Sequence, residues 1–343
     1  MSRRLAVLMG GRSSEHEVSL ASAAAVMAAL DPERYEVVPV LIARDGGWSV
    51  EGAPVAVVPG PLGEPLLISL DGGPPRPLDA VFPVLHGPHG EDGRVQGALE
   101  TAGVPYVGAG VAASALAMDK ALFKVFLRAA GIPTPEHCTV TVDEWADDPE
   151  GARARVAAAV GYPAFCKPAR LGSSVGISPV PTPADLDASL RLAFGHDPKA
   201  LVERAIAGRE VEVGVLGEPE AIVSPVGEVL YDSDWYDYAT KYEAGRMRLQ
   251  VPADLPREVS ECARQLALRA FVAVECAGLA RIDFFVADDG EVLLSELNTL
   301  PGFTPTSVYA SLMEAGGIGY ADLVDRLVDL ALARAAEARR FLG

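Results

Sequence analysis

The N-terminal third of the chain alternates between short apolar runs and longer stretches with helical character. The run Leu5–Met9 is continuously apolar and ends at Gly10 and Gly11, which predicts a buried strand followed by a turn. Residues 18–30 form an alanine-rich stretch that stops at Asp31 and Pro32, as a helix does. Further strands are predicted at 35–42 and 80–85, and a helix at 94–101. This order of strands and helices predicts a parallel sheet with helices on its faces.

The rest of the chain divides into two further segments. The second has predicted helices at 119–130, 152–160 and 183–194 and predicted strands at 164–167 and 200–203. The third has predicted strands at 209–217, 279–287 and 291–298 and predicted helices at 255–273 and from about 320. The proline- and glycine-rich stretch 51–78 indicates only a loop or hairpin, with no role assigned. We therefore predict an α/β (mixed α+β) protein of three domains, 1–117, 118–207 and 208–343.

Charge and composition narrow the classes of function. The 343 residues include 29 Lys and Arg against 47 Asp and Glu, which gives a formal net charge of −18. This acidity argues against nucleic acids and anionic membrane surfaces as partners, because both attract clustered basic residues. The sequence contains no apolar run of the roughly 20 residues that span a bilayer. Its four cysteines include no C-x-x-C pair, which favours reduced thiols and a cytoplasmic location.

A hairpin signal near the C-terminus allows side chains on two strands to be placed opposite each other. Asp289 and Gly290 are typical of a two-residue type I′ turn, because glycine accepts the positive φ that this turn requires. With this loop, Asp288 pairs with Glu291, and the pairing continues outward along both strands. The prediction fixes the register of the whole hairpin.

That register collects polar side chains on one face of the hairpin. Asp283 then lies opposite Glu296, and Arg281 lies opposite Asn298. Two facing carboxylates about 5 Å apart repel each other unless a cation lies between them. Carboxylate and amide oxygens suit Mg²⁺ shared with phosphates, whereas a solvated polar face is the simpler alternative. The other face would carry the core residues Ile282, Phe284 and Val286.

A loop of small residues, 171–178, follows the predicted strand that ends at Lys167. Small residues allow backbone N–H groups to close over phosphate oxygens, and Lys167 adds a positive charge. The segment Gly172–Gly176 also fits the G-x-S-x-G pattern of hydrolases. That mechanism needs a downstream histidine in a triad, and the single histidine after Ser174 is His196, barely one helix away. A phosphate-binding loop is therefore the preferred interpretation.

Together these pieces resemble the D-alanine–D-alanine ligases, members of the ATP-grasp superfamily. The resemblance runs nearly end to end through eight motifs, at 9–20, 85–97, 114–120, 165–178, 203–215, 236–242, 281–285 and 296–307. It implies an ATP-grasp fold with an N-terminal Rossmann-like substrate domain, two ATP-grasp subdomains and a mobile loop at 231–249. The implied reaction joins two D-alanines through an acyl phosphate and a tetrahedral intermediate, with ATP and two Mg²⁺ or Mn²⁺ ions.

The resemblance also implies roles for individual residues. The predicted nucleotide contacts are Lys120, Lys167, Ser173 and Lys241 for the phosphates, and Glu203 and Glu210 for the adenine and ribose. The predicted metal ligands are Asp283, Glu296 and Asn298, the residues that the hairpin register brings together. For the first D-alanine, Glu15 is predicted to hold the ammonium group, linked to Ser173 and Tyr242, and His86 is predicted to lie beside the substrate. Arg281 and the backbone N–H of Gly302 are the predicted oxyanion hole. Ser307 and Lys241 are predicted to bind the carboxylate of the second D-alanine.

Two rival functions follow from the same resemblance. A D-alanine–D-lactate ligase is disfavoured by Tyr242, because depsipeptide-forming relatives typically lack this tyrosine. A non-catalytic ATP-binding relative would be expected to have lost a metal ligand or Arg281, and all four residues are present. The implied setting is peptidoglycan precursor synthesis in a bacterial cytoplasm, and the family is commonly a homodimer.

Overall fold

The first sheet contains seven strands. The computed structural model describes residues 2–61, 63–217, 220–231 and 247–341. Strand β1 (Arg3–Gly10) lies in parallel between β2 (Tyr35–Ile42) and β7 (Ala80–Pro83), as the alternating pattern predicts. Of the two predicted alternatives for region 51–78, a loop or a hairpin, the structure has the second. Its antiparallel strands β4 (Ala53–Pro59), β5 (Pro65–Ser69) and β6 (Arg76–Pro77) join this sheet after the preceding strand β3 (Trp48–Val50). Helices α1 (His16–Ala29), α2 (Arg94–Thr101) and α3 (Val111–Met118) accompany it.

The second sheet is antiparallel and has four strands in the order β10-β9-β11-β8. Its strands are β8 (His137–Thr141), β9 (Ala164–Pro168), β10 (Ser178–Val180) and β11 (Lys199–Arg204). The helices of this part are α4 (Lys120–Ala129), α5 (Val142–Asp147), α6 (Pro149–Ala159) and α7 (Leu186–Phe194), the last preceded by a 3₁₀ turn at Pro183–Asp185. The Asp119 carboxylate caps α4 by accepting from the backbone N–H of Leu122, which fixes where this helix begins.

The third sheet is built around β12 (Gly208–Leu216) and β16 (Leu279–Ala287), which pair along their full length. The other strands are β13 (Ile222–Val223), β14 (Gly227–Tyr231), β15 (Met247–Gln250) and β17 (Val292–Asn298). Helices α8 (Arg257–Ala273), α9 (Val308–Ala315) and α10 (Tyr320–Ala338) complete the described chain. Among the described residues, no helix is both long enough and apolar enough to cross a membrane.

Two apolar cores join elements that are distant in sequence. One packs β12 and β16 against α8 and also receives Phe123 and Leu127 from α4. The other packs β1 and α1 against the C-terminal helix α10, through residues such as Leu327. Arg334 of α10 strengthens this contact by donating to the carbonyls of Gly108 and Tyr106 at 2.7 and 2.9 Å. The first and last parts of the chain therefore share one core.

The hairpin β16–β17 confirms the predicted carboxylate pairing, although its loop differs from the prediction. Asp283 pairs with Glu296, and Arg281 pairs with Asn298. The predicted pairing of Asp288 with Glu291 is wrong, because Ala287 donates its backbone N–H to the carbonyl of Glu291 instead.

The loop is thus one residue longer than predicted, and a bulge compensates for it. Gly290 has a φ of 89°, as expected at the end of a three-residue loop. Phe284 pairs with Leu294, so Ser295 is the extra residue of a β-bulge between that pair and Asp283–Glu296. The bulge restores the predicted register at the polar end of the hairpin.

Candidate functional site

A cavity of about 480 Å³ lies between the second and third sheets. The charged residues on its wall include Lys120, Lys167, Glu203, Glu210, Glu212, Arg281, Asp283 and Glu296. Seven of these are sequence-predicted nucleotide, metal or catalytic residues, and the structure brings them to one cavity. Glu212 is the additional member. It lies on the polar face of β12, whose other face buries Val211, Val213 and Val215 in the core.

Glu203 is a buried carboxylate bridging two lysines in the cavity wall. It is 3% exposed; its Oε1 pairs with Lys124 Nζ and its Oε2 with Lys167 Nζ. Burial by itself raises the pKa of Glu203, but the attraction of the two ammonium groups outweighs it and lowers this pKa to about 2. For Lys167, burial lowers the pKa, and Glu203 outweighs that effect so that the pKa is raised. Both groups are therefore charged at neutral pH.

Lys124 is a site residue that the motifs did not identify. Its side chain is fully buried, and its Nζ also donates to Thr134 Oγ1 at 2.9 Å and to the Ser295 carbonyl at 3.2 Å. A signal did exist in the sequence. Lys124 follows Lys120 by four residues and so lies on the same face of helix α4. Because that face also carries apolar residues, a lysine there needs a buried partner.

Arg281 lies at the centre of a carboxylate cluster on β12 and β16. Its Nε is 3.0 Å from Glu212 Oε2, and its guanidinium bonds both oxygens of Asp283, at 2.8 and 2.7 Å. Burial lowers the pKa of Arg281, but Asp283 and Glu212 more than compensate and raise it well above its ordinary value. The planar guanidinium is therefore fixed in one orientation as a permanent positive charge.

The three predicted metal ligands lie next to one another at the polar end of the hairpin. Asn298 donates its amide to Asp283 Oδ2 at 3.0 Å, and Glu296 Oε2 lies 3.2 Å from Lys120 Nζ. Among the described residues, no group of three or more His, Cys, Asp or Glu side chains forms a metal cage. Mg²⁺ usually binds through one or two carboxylates and completes its shell with water and phosphate oxygens, so this donor set fits it.

The small-residue loop at 171–178 has an unusual backbone that its neighbours hold in place. Ser173 and Ser174 have φ values of 55° and 57°, a region that residues with a Cβ seldom adopt. Arg170, just before the loop, donates its backbone N–H to Asp197 at 2.8 Å and pairs its guanidinium with the same carboxylate. Lys120 Nζ donates to the Leu171 carbonyl at 3.0 Å. The start of the loop is therefore held by Lys120, which lines the cavity, and by Asp197, which does not.

The motif at 9–20, which contains Glu15, faces this loop. Glu15 is the residue before helix α1, and its Oε2 lies near Gly87 and Gly172. A Cβ added at Gly87 would lie 2.9 Å from that oxygen, and one added at Gly172 would lie 3.7 Å from it. Gly87 also has a φ of 72°. The N-terminal motifs thus place a carboxylate against the loop that carries Ser173, as the resemblance implies.

His86 and the segment 300–307 form the other side of this region. His86 is buried, with Nδ1 2.9 Å from the Leu300 carbonyl oxygen and Nε2 3.4 Å from Ser22 Oγ. A Cβ added at Gly302 would lie 3.4 Å from Ser307 Oγ, so these two predicted residues are neighbours. Both ring nitrogens of His86 contact protein atoms, so this side chain holds the segment in position.

Glu91 is a third residue, after Glu212 and Lys124, that the motif analysis did not single out. It is half-buried, and its Oε1 accepts from the backbone N–H of Gly87 at 2.8 Å. Burial and the nearby charge of Glu15 raise the pKa of Glu91 to about 7, although hydrogen bonds from Gly87 and Leu300 oppose the shift. Its place in the motif 85–97 was visible in the sequence, whereas its contact with Leu300 was not.

We expect Glu91→Gln to stabilise the protein selectively at higher pH. A folded pKa of about 7, above the ordinary 4.5, means that the stability linked to protonated Glu91 is complete below pH 4.5 and is lost as the pH rises through 7. The melting temperature of the wild type should therefore fall relative to that of Glu91→Gln between pH 5 and 8. Glu150→Gln, at a side chain that is 88% exposed, is the control and should show a constant difference. A pH-independent difference for Glu91→Gln would contradict the assignment.

Lys241 and Tyr242 lie outside the described residues, as does most of the predicted mobile loop 231–249. The described part of that range is Tyr231 and residues 247–249. The backbones of these positions pair as the adjacent strands β14 and β15.

Family models match almost the whole chain. The model described as D-ala D-ala ligase N-terminus matches residues 4–61 and 65–109, and the one described as D-ala D-ala ligase C-terminus matches residues 126–329. A D-alanine–D-alanine ligase from Deinococcus radiodurans is 50% identical over 342 residues, covering 97% of this chain and 99% of the relative.

Solved structures agree with these matches. The D-alanine–D-alanine ligase from Coxiella burnetii superposes with a TM-score of 0.88 at 34% identity, covering 99% of this chain and 97% of that one. The VanG D-Ala:D-Ser ligase from Enterococcus faecalis gives a TM-score of 0.87 at 35% identity, covering 96% of this chain and 100% of that one. The likeness extends over the first sheet, the cavity and the C-terminal helix alike.

Proposed function

The chain belongs to the D-alanine–D-alanine ligase family, and from this premise we propose that it joins two D-alanines to D-alanyl-D-alanine, with conversion of ATP to ADP and phosphate. The observation that carries the proposal is the position of Arg281. It is held by Glu212 and Asp283 in the same cavity wall as Lys120 and Lys167. A fixed guanidinium beside a lysine-lined cavity suits a reaction in which negative charge moves from phosphate to a carbonyl oxygen.

The first step activates a carboxylate, which is a poor electrophile. The γ-phosphoryl group of ATP passes to a carboxylate oxygen of the first D-alanine, which gives an acyl phosphate and ADP. Lys120 and Lys167 neutralise phosphate charge in this proposal, and Glu203 and Glu210 lie on the adenine and ribose side. Asp283, Glu296 and Asn298 would hold Mg²⁺, which supplies charge neutralisation at the phosphates when bound.

The second step forms the amide. The amine of the second D-alanine attacks the acyl carbon, its nitrogen gives up a proton, and the phosphate leaves from the tetrahedral intermediate. Arg281 and the backbone N–H of Gly302 stabilise the oxyanion at that carbon. Ser307, which precedes the N-terminus of α9, binds the carboxylate of the second D-alanine together with Lys241.

In this proposal, the first D-alanine is positioned by residues of the N-terminal part of the chain and of the small-residue loop. Glu15 binds its ammonium group, and Ser173 and Tyr242 link this carboxylate to the small-residue loop and to the segment 231–249. His86 lies beside the same substrate and keeps the segment from Leu300 onward in place. The acyl phosphate must be kept from water, which otherwise hydrolyses it, and the resemblance assigns this task to the segment 231–249, most of which lies outside the described residues.

One assay tests this function. Phosphate release from ATP and Mg²⁺ is measured with and without D-alanine, and the product is identified by mass. We expect release that depends on D-alanine and a product of the mass of D-alanyl-D-alanine. D-lactate and D-serine compete as second substrates in parallel reactions, and the dipeptide should dominate at neutral pH. ATP turnover that ignores D-alanine would contradict the ligase proposal.

The same proposal extends to the domain organisation, the oligomeric state and the cellular location of the protein. We propose three domains at 1–117, 118–207 and 208–343, a homodimer and a cytoplasmic location, where the dipeptide would enter peptidoglycan precursor synthesis. Light scattering on the purified protein tests the dimer. A mass that stays at 35.9 kDa across micromolar concentrations would contradict it.

A further inference from the structure

Lys124, the fully buried lysine of helix α4, has no role in the reaction described above. Lys124 reaches the back of the cavity wall, and its Nζ contacts Glu203, Thr134 and Ser295. Burying an ammonium group is unfavourable before its partners are counted, and apolar side chains often replace buried ion pairs without loss of stability. A lysine at this position therefore needs an explanation other than packing.

The charge balance around Glu203 suggests one. Lys124 and Lys167 carry two positive charges and Glu203 carries one negative charge, so the three buried groups have a net charge of +1. Lys167 faces the cavity, whereas Lys124 lies behind it. Without Lys124, the carboxylate and Lys167 would cancel each other, and the wall would offer little net charge to a phosphate.

Each oxygen of the Glu203 carboxylate pairs with a different lysine. Oε1 of Glu203 pairs with Lys124 and Oε2 pairs with Lys167. Burial lowers the pKa of Lys124 to about 8 against the attraction of Glu203, so the ammonium form still predominates at neutral pH. Lys124 is thus a charged partner for one oxygen, and it leaves the other oxygen to orient Lys167.

Lys124 also ties the cavity wall to the β-bulge that precedes Glu296. Its Nζ donates to the carbonyl of Ser295, the extra residue of the bulge. Thr134, the third partner, donates its hydroxyl to the Leu294 carbonyl at 2.8 Å. One ammonium group therefore connects the second sheet with the hairpin of the third.

We propose that Lys124 is a positioning residue for the phosphate groups of the nucleotide: it offsets the charge of Glu203, so that Lys167 keeps its orientation and its positive charge toward the phosphates. This inference rests on the proposed function, because it takes the cavity to be the nucleotide site. It assigns Lys124 no contact with the nucleotide itself.

Binding of ATP, ADP and adenosine by calorimetry tests the proposal, because adenosine has no phosphates. In Lys124→Met, we expect the Kd for ATP and ADP to rise at least about tenfold, and the Kd for adenosine to change less than about twofold. Lys199→Met is the matched control, since Lys199 pairs with Asp119 away from the cavity lining. It should leave all three Kd values within about twofold. Equal losses for adenosine and ADP, or an unchanged Kd for ATP, would overturn the proposal.

The same substitution of Lys124, made in a protein that already carries Glu203→Gln, tests whether Lys124 acts through Glu203. In Glu203→Gln the negative charge is gone, so adding Lys124→Met should weaken ADP binding less than about threefold. A loss as large as in the wild-type background would overturn the proposal. Lys124→Gln keeps a hydrogen-bond donor without the charge and gives the same comparison if the methionine variant does not fold. Failure of the wild type to bind ATP would instead contradict the proposed function.

Discussion

Arg281→Met is expected to lower kcat for dipeptide formation by about 10²–10³-fold, the usual loss when one donor to an oxyanion is removed. The substitution also leaves the Glu212 and Asp283 carboxylates without the guanidinium that pairs with both. Because uncompensated buried charge is destabilising, the melting temperature should fall as well. Steady-state kinetics at saturating ATP and D-alanine, together with thermal unfolding, measure the two effects separately.

Two controls show whether the loss belongs to this guanidinium. Arg153→Met removes an arginine that pairs with Asp187 through Nε at 2.9 Å in the second sheet region, and it should keep full activity. Arg281→Lys keeps the charge but loses the planar pair of bonds to Asp283, so intermediate activity is expected. A folded Arg281→Met enzyme with kcat within threefold of the wild type would show that another group stabilises the oxyanion.

Glu296→Gln is expected to lower kcat by at least about 10²-fold, because it removes one of the two carboxylates opposed on β16 and β17. An amide neither carries the charge that attracts Mg²⁺ nor pairs with Lys120, which lies 3.2 Å from the Glu296 carboxylate. The Mg²⁺ concentration that gives half the maximal rate should be higher than in the wild type. Rates measured across a Mg²⁺ series at saturating ATP give both the residual kcat and the shift.

The matched control is Glu150→Gln, which neutralises an exposed carboxylate on α6 and should leave the Mg²⁺ dependence unchanged. Binding of Mn²⁺ in the presence of ADP provides a readout besides turnover, and Glu296→Gln should weaken it. Wild-type Mn²⁺ affinity in the folded variant would remove Glu296 from the metal ligands.

The polar end of the hairpin shows why part of the site could be predicted from sequence. Period-two alternation and a glycine turn predicted the hairpin, because both are local properties of two adjacent strands, and Asp283 does lie opposite Glu296 because two differences from the prediction offset each other. The loop was assigned one residue too short, and the bulge at Ser295 corrected the register by one residue. A bulge depends on what the strand packs against, so the alternation pattern alone does not indicate it.

Other features depend on contacts between distant segments. The partner of Lys124 is Glu203, and Arg281 pairs with Glu212 on a strand far earlier in the chain. The positive φ values at Ser173 and Ser174 occur in a loop whose start is held by Asp197 and Lys120, residues distant in sequence, and serine itself does not favour such values. The individual strands β3–β6 were not predicted, because the stretch 51–78 is rich in Pro and Gly, which indicate turns and not strands.

The shared core of β1 and α10 has a consequence for how the chain folds during its synthesis. Apolar residues of β1 such as Leu5 and Val7 leave the ribosome long before Leu327 of α10, with which they share a core. The part of this face of the first sheet that α1 does not cover therefore stays exposed until α10 has emerged, while the second sheet, formed by a continuous stretch of chain, can assemble earlier. The first sheet, although its strands are made before those of the second, is completed after it.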